Sequence, residues 1–338
     1  MAAETIDTLG QVRATGTAWK FVRAYIKSMR LYYAFVTGIT GWVGVSLYHF
    51  LLPSQVSYLR STLILLVLFL SWGVNQIFND FLGLPEDRIN APHRPMVTGE
   101  LALRPALWLS SLLLAGLTVA SYFFNPWSTI PVLLGVALNI LYEYAKAWSL
   151  WGNLVFGLSI AMCAVYGYLA AGPLPTPPIT PGRVAIFVLV VMLNALMTFF
   201  TYFKDYAGDR AAGKRTFIVQ YGIDTARRAG IIGACLPAAG FVLCVLCGWL
   251  PEVGLRDPLL FALCAGSAVC LQGWTAWLFY RYPRGERAYT NLAMNIRACV
   301  AGQCVLIALV NGPLALCLLL ASYILIGLLF RCHRDAQA

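Results

Sequence analysis

Residues 204–216 read KDYAGDRAAGKRT and follow directly on the apolar run VAIFVLVVMLNALMTFFTYF. Asp205 and Asp209 stand four apart there, with Lys204, Arg210, Lys214 and Arg215 around them. On a helix an i, i+4 pair shares one face, so the two carboxylates can be presented to one point. A second stretch, residues 79–100, reads NDFLGLPEDRINAPHRPMVTGE and gathers Asn79, Asp80, Glu86 and Asp87 within nine residues, ahead of Asn90, His93 and Arg94. Oxygen donors clustered in this way suit Mg2+, which is commonly held by one or two carboxylates together with substrate phosphates. Lys and Arg beside such acids are what a polyphosphate substrate requires, because they take up the charge that the metal leaves uncompensated.

The elements that position these residues must lie in lipid. Of 338 residues, 60% are hydrophobic and 11% charged, against about 25% charged in soluble domains. Apolar runs long enough to cross a hydrocarbon core of roughly 30 Å as helices recur along nearly the whole chain. An all-α polytopic bundle follows, since a chain in lipid must satisfy its own backbone hydrogen bonds. Spans are expected at 31–52, 58–79, 104–124, 128–145, 149–171, 183–203, 228–250, 257–280, 290–311 and 313–331. They give nine to ten transmembrane helices around a central cavity, with 313–331 as the possible extra one. No loop is long enough for a separate unit, so residues 1–338 read as a single domain with a polar N-terminal segment, 1–19. That segment carries no cleavable signal, and the first span is expected to act as its own insertion signal.

The net charge of +10 suggests a nucleic-acid partner only until its distribution is considered. With the N-terminus in the cytoplasm, twenty of the twenty-four Lys and Arg residues, from Arg13 to Arg334, fall on the cytoplasmic side. Only Arg60, Arg183 and Arg256 fall outside, and Arg297 falls within a span. The positive charge is therefore chiefly a topology signal, with both termini and the two acid-bearing stretches on the cytoplasmic side. No nucleic acid is expected as a partner. The ten cysteines read as small buried hydrophobes, and the Cys244/Cys247 pair lacks the second pair or histidine that a metal site needs.

With both motifs at the ends of spans, the chain resembles the UbiA superfamily of intramembrane prenyltransferases. That family carries NDxxDxxxD after its second span and DxxxD after its sixth. Here the first appears as Asn79, Asp80 and Asp87, running on into Asn90-Ala91-Pro92-His93-Arg94-Pro95. The second appears as Asp205 and Asp209, followed by Arg210, Gly213, Lys214, Arg215 and Thr216. The resemblance implies that Asn79, Asp87, Asp205 and Asp209, with Asp80 and Glu86 as possible additions, hold Mg2+ against the diphosphate of a polyprenyl donor. Asp205, Asp209 and Asp87 would be the catalytic acids. Lys146, Tyr142, Arg94, Lys204 and Arg210 would meet the diphosphate, and Trp72, Tyr142, Phe199 and Tyr202 could shield an allylic cation. The prenyl group would pass to a lipophilic acceptor, most often an aromatic ring in this family, from a groove open to membrane lipid.

The chain departs from the pattern at one position: the family's middle acid falls on Gly83, and Pro85 cannot continue a regular helix. Glu86 or Asp80 would have to replace that ligand. The departure keeps open a rival within the superfamily, a terpene cyclase that traps the carbocation with a double bond of its own chain. A rival from another class, an ion-coupled transporter, requires acids near the midplane in broken helices. A CDP-alcohol phosphotransferase requires a DGxxAR run that is absent.

Overall fold

The computed structural model describes residues 18–250 and 255–334. Most of the expected polar N-terminal segment, with Arg13, lies outside them. Among the described residues there are fourteen α-helices and no strand. In chain order they are α1 (Ala18–Met29), α2 (Ala34–Leu51), α3 (Tyr58–Leu82), α4 (Leu84–Asn90), α5 (Pro95–Thr98), α6 (Leu103–Phe124) and α7 (Thr129–Ala145). They continue with α8 (Trp151–Ala170), α9 (Pro181–Ala211), α10 (Phe217–Tyr221), α11 (Ile223–Leu246), α12 (Pro258–Arg281), α13 (Gly285–Ala308) and α14 (Gly312–Arg334). Ten of these helices are long and apolar enough to cross a membrane, as the ten apolar runs predict.

Local chemistry fixes several starts. The Ser57 hydroxyl accepts from the Arg60 N–H at the head of α3, and the Thr180 hydroxyl accepts from the Arg183 N–H at the head of α9, where Pro181 opens the first turn. The ends shift where polar residues can stay helical. Helix α9 runs past 203 to Ala211, α11 starts at Ile223 and α13 at Gly285, because long charged side chains near the interface reach water or a partner without unwinding the backbone. The last apolar run is a continuous helix that packs along α13.

Helices α2, α8, α9 and α13 are the most enclosed, with α6 and α11 at the periphery. Close approach at the centre is made by glycine. A Cβ on Gly44 of α2 would strike the Ala164 carbonyl of α8, and one on Gly167 of α8 would strike the Gly41 carbonyl of α2. Small residues of this kind let backbones in lipid pack tightly.

At the edge remote from the acids, the three isolated arginines serve helix ends and rings. Arg60 donates from Nε to the Ala170 carbonyl at 2.7 Å and from a second nitrogen to the Phe124 carbonyl, satisfying the ends of α8 and α6. Arg183 donates to the Pro177 carbonyl, and Arg256 lies 5.0 Å from the centre of the Phe50 ring. At the acid-bearing edge the end of α14 reaches across the bundle: Tyr32 meets Phe330 at 5.1 Å and His333 at 5.2 Å, both edge-on.

The expectation for cysteine is corrected. Cys244, Cys264, Cys299 and Cys304 are buried, but Cys235, Cys270, Cys317 and Cys332 are exposed on helix faces, where an apolar thiol is equally at home in lipid, and Cys247 is exposed in the turn after α11. All ten are free.

Gly167→Val forces a branched side chain into the α2–α8 contact. A loss of about 1–3 kcal/mol is expected, seen as a lower unfolding temperature of the solubilised protein, whereas Gly266→Ala, at a glycine with open space around it, should leave that temperature nearly unchanged.

Candidate active site

The first acidic stretch folds as a helix, a break and a second helix. Helix α3 ends where the Gly83 N–H bonds the Asn79 carbonyl at 2.9 Å, and α4 restarts at once with Pro85 in its first turn, where the missing N–H costs no bond. The chain thereby folds back over the end of α9. There Asn90 clasps the second motif: its Nδ2 donates to the Asp205 carbonyl at 3.0 Å, and its Oδ1 accepts from the Gly208 N–H at 2.7 Å. A Cβ on Gly208 would collide with the Asn90 amide and the Glu86 carbonyl, so only glycine admits the clasp.

The two motifs face one cavity. Asn79, Asp80, Glu86, Asp87, Arg94, Tyr142, Lys146, Lys204, Asp205 and Asp209 all line it, together with Gly83 and Asn90. Arg210 does not: its side chain is exposed and donates to the Tyr206 hydroxyl at 3.3 Å, because one residue beyond Asp209 the helix has turned by about 100°. Of the expected aromatics, Trp72 and Tyr142 line the cavity; Tyr202 is buried in the core, and Phe199 packs against Phe200, Phe203 and Phe217 instead.

Nearly every acid of the cavity carries a base. Asp80 accepts from Arg30 and from Gln76 (2.9 Å), and Arg94 lies 3.6 Å from it while pairing with Asp87. Lys204 pairs with Asp205, Lys146 with Glu143 at 2.7 Å and Lys214 with Glu86 at 3.1 Å. Among the described residues no ion pair involves Asp209, whose Oδ2 is buried without a hydrogen-bond partner; Asp80 Oδ2 is likewise unpartnered.

Burial pushes the Asp87 carboxyl above the usual carboxylate range, against the pull of Arg94. Burial also opposes the charge on Lys146, but Glu143 and Asp209 outweigh it and hold the ammonium above its ordinary value. Burial opposes the charge on Arg94 too, and Asp87 and Asp80 outweigh it.

A divalent cation fits this chemistry. Four oxygen-bearing side chains, Asn79, Asp87, Asp205 and Asp209, face the same space, and a buried, unpartnered carboxylate oxygen calls for a cation. Among the described residues no three acids, histidines or cysteines converge, Asp87 being turned toward Arg94 and Asp205 toward Lys204. Behind the polar chamber, past Trp72, Gln76, Asn79 and Phe156, an apolar tunnel runs between α3, α6, α7 and α8. Its neck is aromatic: Tyr33 stacks on Trp72 at 4.6 Å, and Phe156 meets Trp72 at 6.1 Å and Tyr142 at 5.1 Å.

Sequence reasoning missed Arg30, Glu143, Tyr33, Phe156 and Asn139. Arg30 read only as a topology charge, and Glu143 was visible in LYEYAK as an acid at a span end. Asn139, a lone amide in the apolar run LLGVALNIL, exchanges two hydrogen bonds with Asn79.

A charge-lined chamber at one edge of a helical bundle, with an apolar tunnel beside it, has the chemistry of an intramembrane site with one polar and one apolar compartment. The chain belongs to the UbiA prenyltransferase family, whose sequence profile matches residues 36–296, and it is an intramembrane prenyltransferase of that family. It is 27% identical over 269 residues to the digeranylgeranylglyceryl phosphate synthase of Thermococcus kodakarensis, covering 79% of this chain and 90% of that one. Its fold is similar to a UbiA homolog from Archaeoglobus fulgidus bound to DMAPP and Mg2+ (TM-score 0.59, 16% identity, 83% of this chain and 98% of that one). It is equally similar to the apo UbiA homolog from Aeropyrum pernix (TM-score 0.59, 18% identity, 82% and 96%).

A Cβ at Gly83 would meet only the Asn79 carbonyl, at 3.1 Å. Gly83→Asp is therefore expected to fold and to place another carboxylate beside the cavity, raising Mn2+ affinity several-fold in an equilibrium titration.

Proposed function

We propose that the protein ionises an isoprenyl diphosphate in the presence of Mg2+ and transfers the prenyl group to a lipid acceptor. The observation that carries this reading is the pairing of two acidic motifs across one cavity with Arg94, Lys146 and Lys204 among them. When bound, Mg2+ supplies Lewis-acid stabilisation of the diphosphate oxygens. The oxygen donors suited to it are Asn79, Asp87, Asp205 and Asp209.

The chain's own residues supply the rest. Arg94, Lys146 and Lys204 exchange their carboxylate partners for diphosphate oxygens, which frees those acids and keeps the chamber electrically balanced. The same cations then stabilise pyrophosphate as the carbon–oxygen bond breaks. The faces of Tyr33, Trp72, Tyr142 and Phe156 surround the position where positive charge develops on the allylic carbon, and they exclude water from it. The prenyl tail lies in the apolar tunnel.

For the acceptor, the name of the Thermococcus relative turns the reading from an aromatic ring toward a glyceryl phosphate lipid. Four cations line the chamber (Arg30, Arg94, Lys146 and Lys204) and Lys214 pairs with its Glu86, a surplus that suits an acceptor bringing a phosphate of its own. The cyclase rival is not favoured by a relative of that name. Acids gathered at one edge of the bundle also weigh against a transporter. A cytoplasmic placement of this edge follows from the Lys and Arg distribution.

Membranes containing the protein, given Mg2+, an allylic diphosphate and either a prenylated glyceryl phosphate or an aromatic acceptor, should yield a prenylated lipid identifiable by mass. Acceptor-independent hydrocarbon would instead indicate a cyclase, and no pyrophosphate release would overturn the reading. Asp205→Asn and Asp209→Asn are each expected to lower turnover at least about a hundredfold while the solubilised protein keeps its elution profile.

A further inference from the structure

One face of α7 carries a polar stripe pointed at the chamber. Asn139, Tyr142, Glu143 and Lys146 recur at the three-, four- and seven-residue spacings of a single helix face. Tyr142, Glu143 and Lys146 lie at the chamber itself, and Asn139 sits one turn deeper, where it is 8% exposed and lines the apolar tunnel. An amide at that depth is expensive unless its groups are bonded. Its partner is Asn79, on α3: the Asn139 Nδ2 donates to Asn79 Oδ1 at 2.8 Å, and the Asn79 Nδ2 donates to Asn139 Oδ1 at 3.2 Å.

We propose that Asn139 is a positioning residue for the diphosphate site, clamping the Asn79 side chain through this reciprocal amide pair so that Asn79 meets the chamber in one fixed plane. The inference rests on the reading of Asn79 as an oxygen donor to a divalent cation. Each amide oxygen has two lone pairs, and the pair uses one. Asn79 Oδ1 therefore keeps a second lone pair for a cation, while neither amide can flip without the other. Asn79 and Asn139 both line the tunnel, and Asn79 alone of the two also lines the chamber. Asn139 thus stands behind the donor, as outer-shell partners of metal ligands do. A bond serving only to join α3 and α7 would affect stability and leave cation affinity alone.

The test is a Mn2+ titration of the purified protein followed by electron paramagnetic resonance, with thermal unfolding recorded on the same samples. Asn139→Leu is expected to weaken Mn2+ binding by about ten- to a hundredfold. In an Asn79→Ala background the same change should add less than about twofold, because Asn139 acts through Asn79 alone. Asn125→Ala is the control: Asn125 Nδ2 donates to the Leu169 and Gly172 carbonyls, joining helices remote from the acids. It should lower the unfolding temperature with Mn2+ affinity unchanged. Should Asn139→Leu fail to fold, Asn139→Ser serves in its place. Wild-type Mn2+ affinity in a folded Asn139 variant overturns the proposal, as do losses that multiply in the double variant or an equal loss in Asn125→Ala. Wild-type protein that binds Mn2+ but transfers no prenyl group counts against the transferase reading and leaves this one standing.

Discussion

A carboxylate buried in a bundle in lipid calls for a cation, and that constraint organises the acid-bearing edge, where among the described cavity acids only Asp209 has no ion pair. Breaking a buried ion pair by removing one partner costs about 3–5 kcal/mol, because the surviving charge is stranded. Asp80 is accordingly held by Arg30, Gln76 and Arg94, and Arg94 also holds Asp87, so that α1, α3, α4 and α5 meet through one run of charge. Arg30 adopts a left-handed backbone conformation (φ 48°, ψ 62°) at the turn from α1 into the first span. That conformation costs a residue with a Cβ roughly 1–2 kcal/mol, and its bond to Asp80 opposes the cost. Under the proposed function, a dication and a diphosphate arriving together would offer each paired group a replacement of the correct sign.

Backbone geometry brings the two acidic motifs together. The Gly83 break turns α4 back over α9, the Asn90 amide occupies both a donor and an acceptor of the α9 backbone, and Gly208 leaves the room. The missing acid of the first motif is thus the residue at which the helix ends. Glu86, which could have replaced it, is drawn toward Lys214 across the cavity. Asp80 is held by Arg30 and Gln76, and both Asp80 and Asp209 keep one unpartnered carboxylate oxygen.

The ten spans were legible because a run of about twenty apolar residues has few alternatives in lipid. Their ends were less so: α9 continues through the charged run 204–211 because those side chains find partners across the cavity, which hydropathy does not register. Asp205 and Asp209 were legible by spacing, and Arg210 was misplaced by ignoring the same helical geometry one residue further on. The contacts of Arg30 with Asp80 and of Asn139 with Asn79 were not legible. Arg30 and Asn139 are each a lone polar residue whose meaning comes from a partner some fifty or sixty positions away in sequence.

The contact between Tyr32 and the end of α14 bears on the order in which the wall is completed. Phe330 and His333 bracket Tyr32, Tyr32 lies against Tyr33, and Tyr33 stacks on Trp72 at the tunnel neck. These rings come from the first spans to enter the membrane and from the tenth. During synthesis the neck therefore stands without its outer support until the tenth helix has been made.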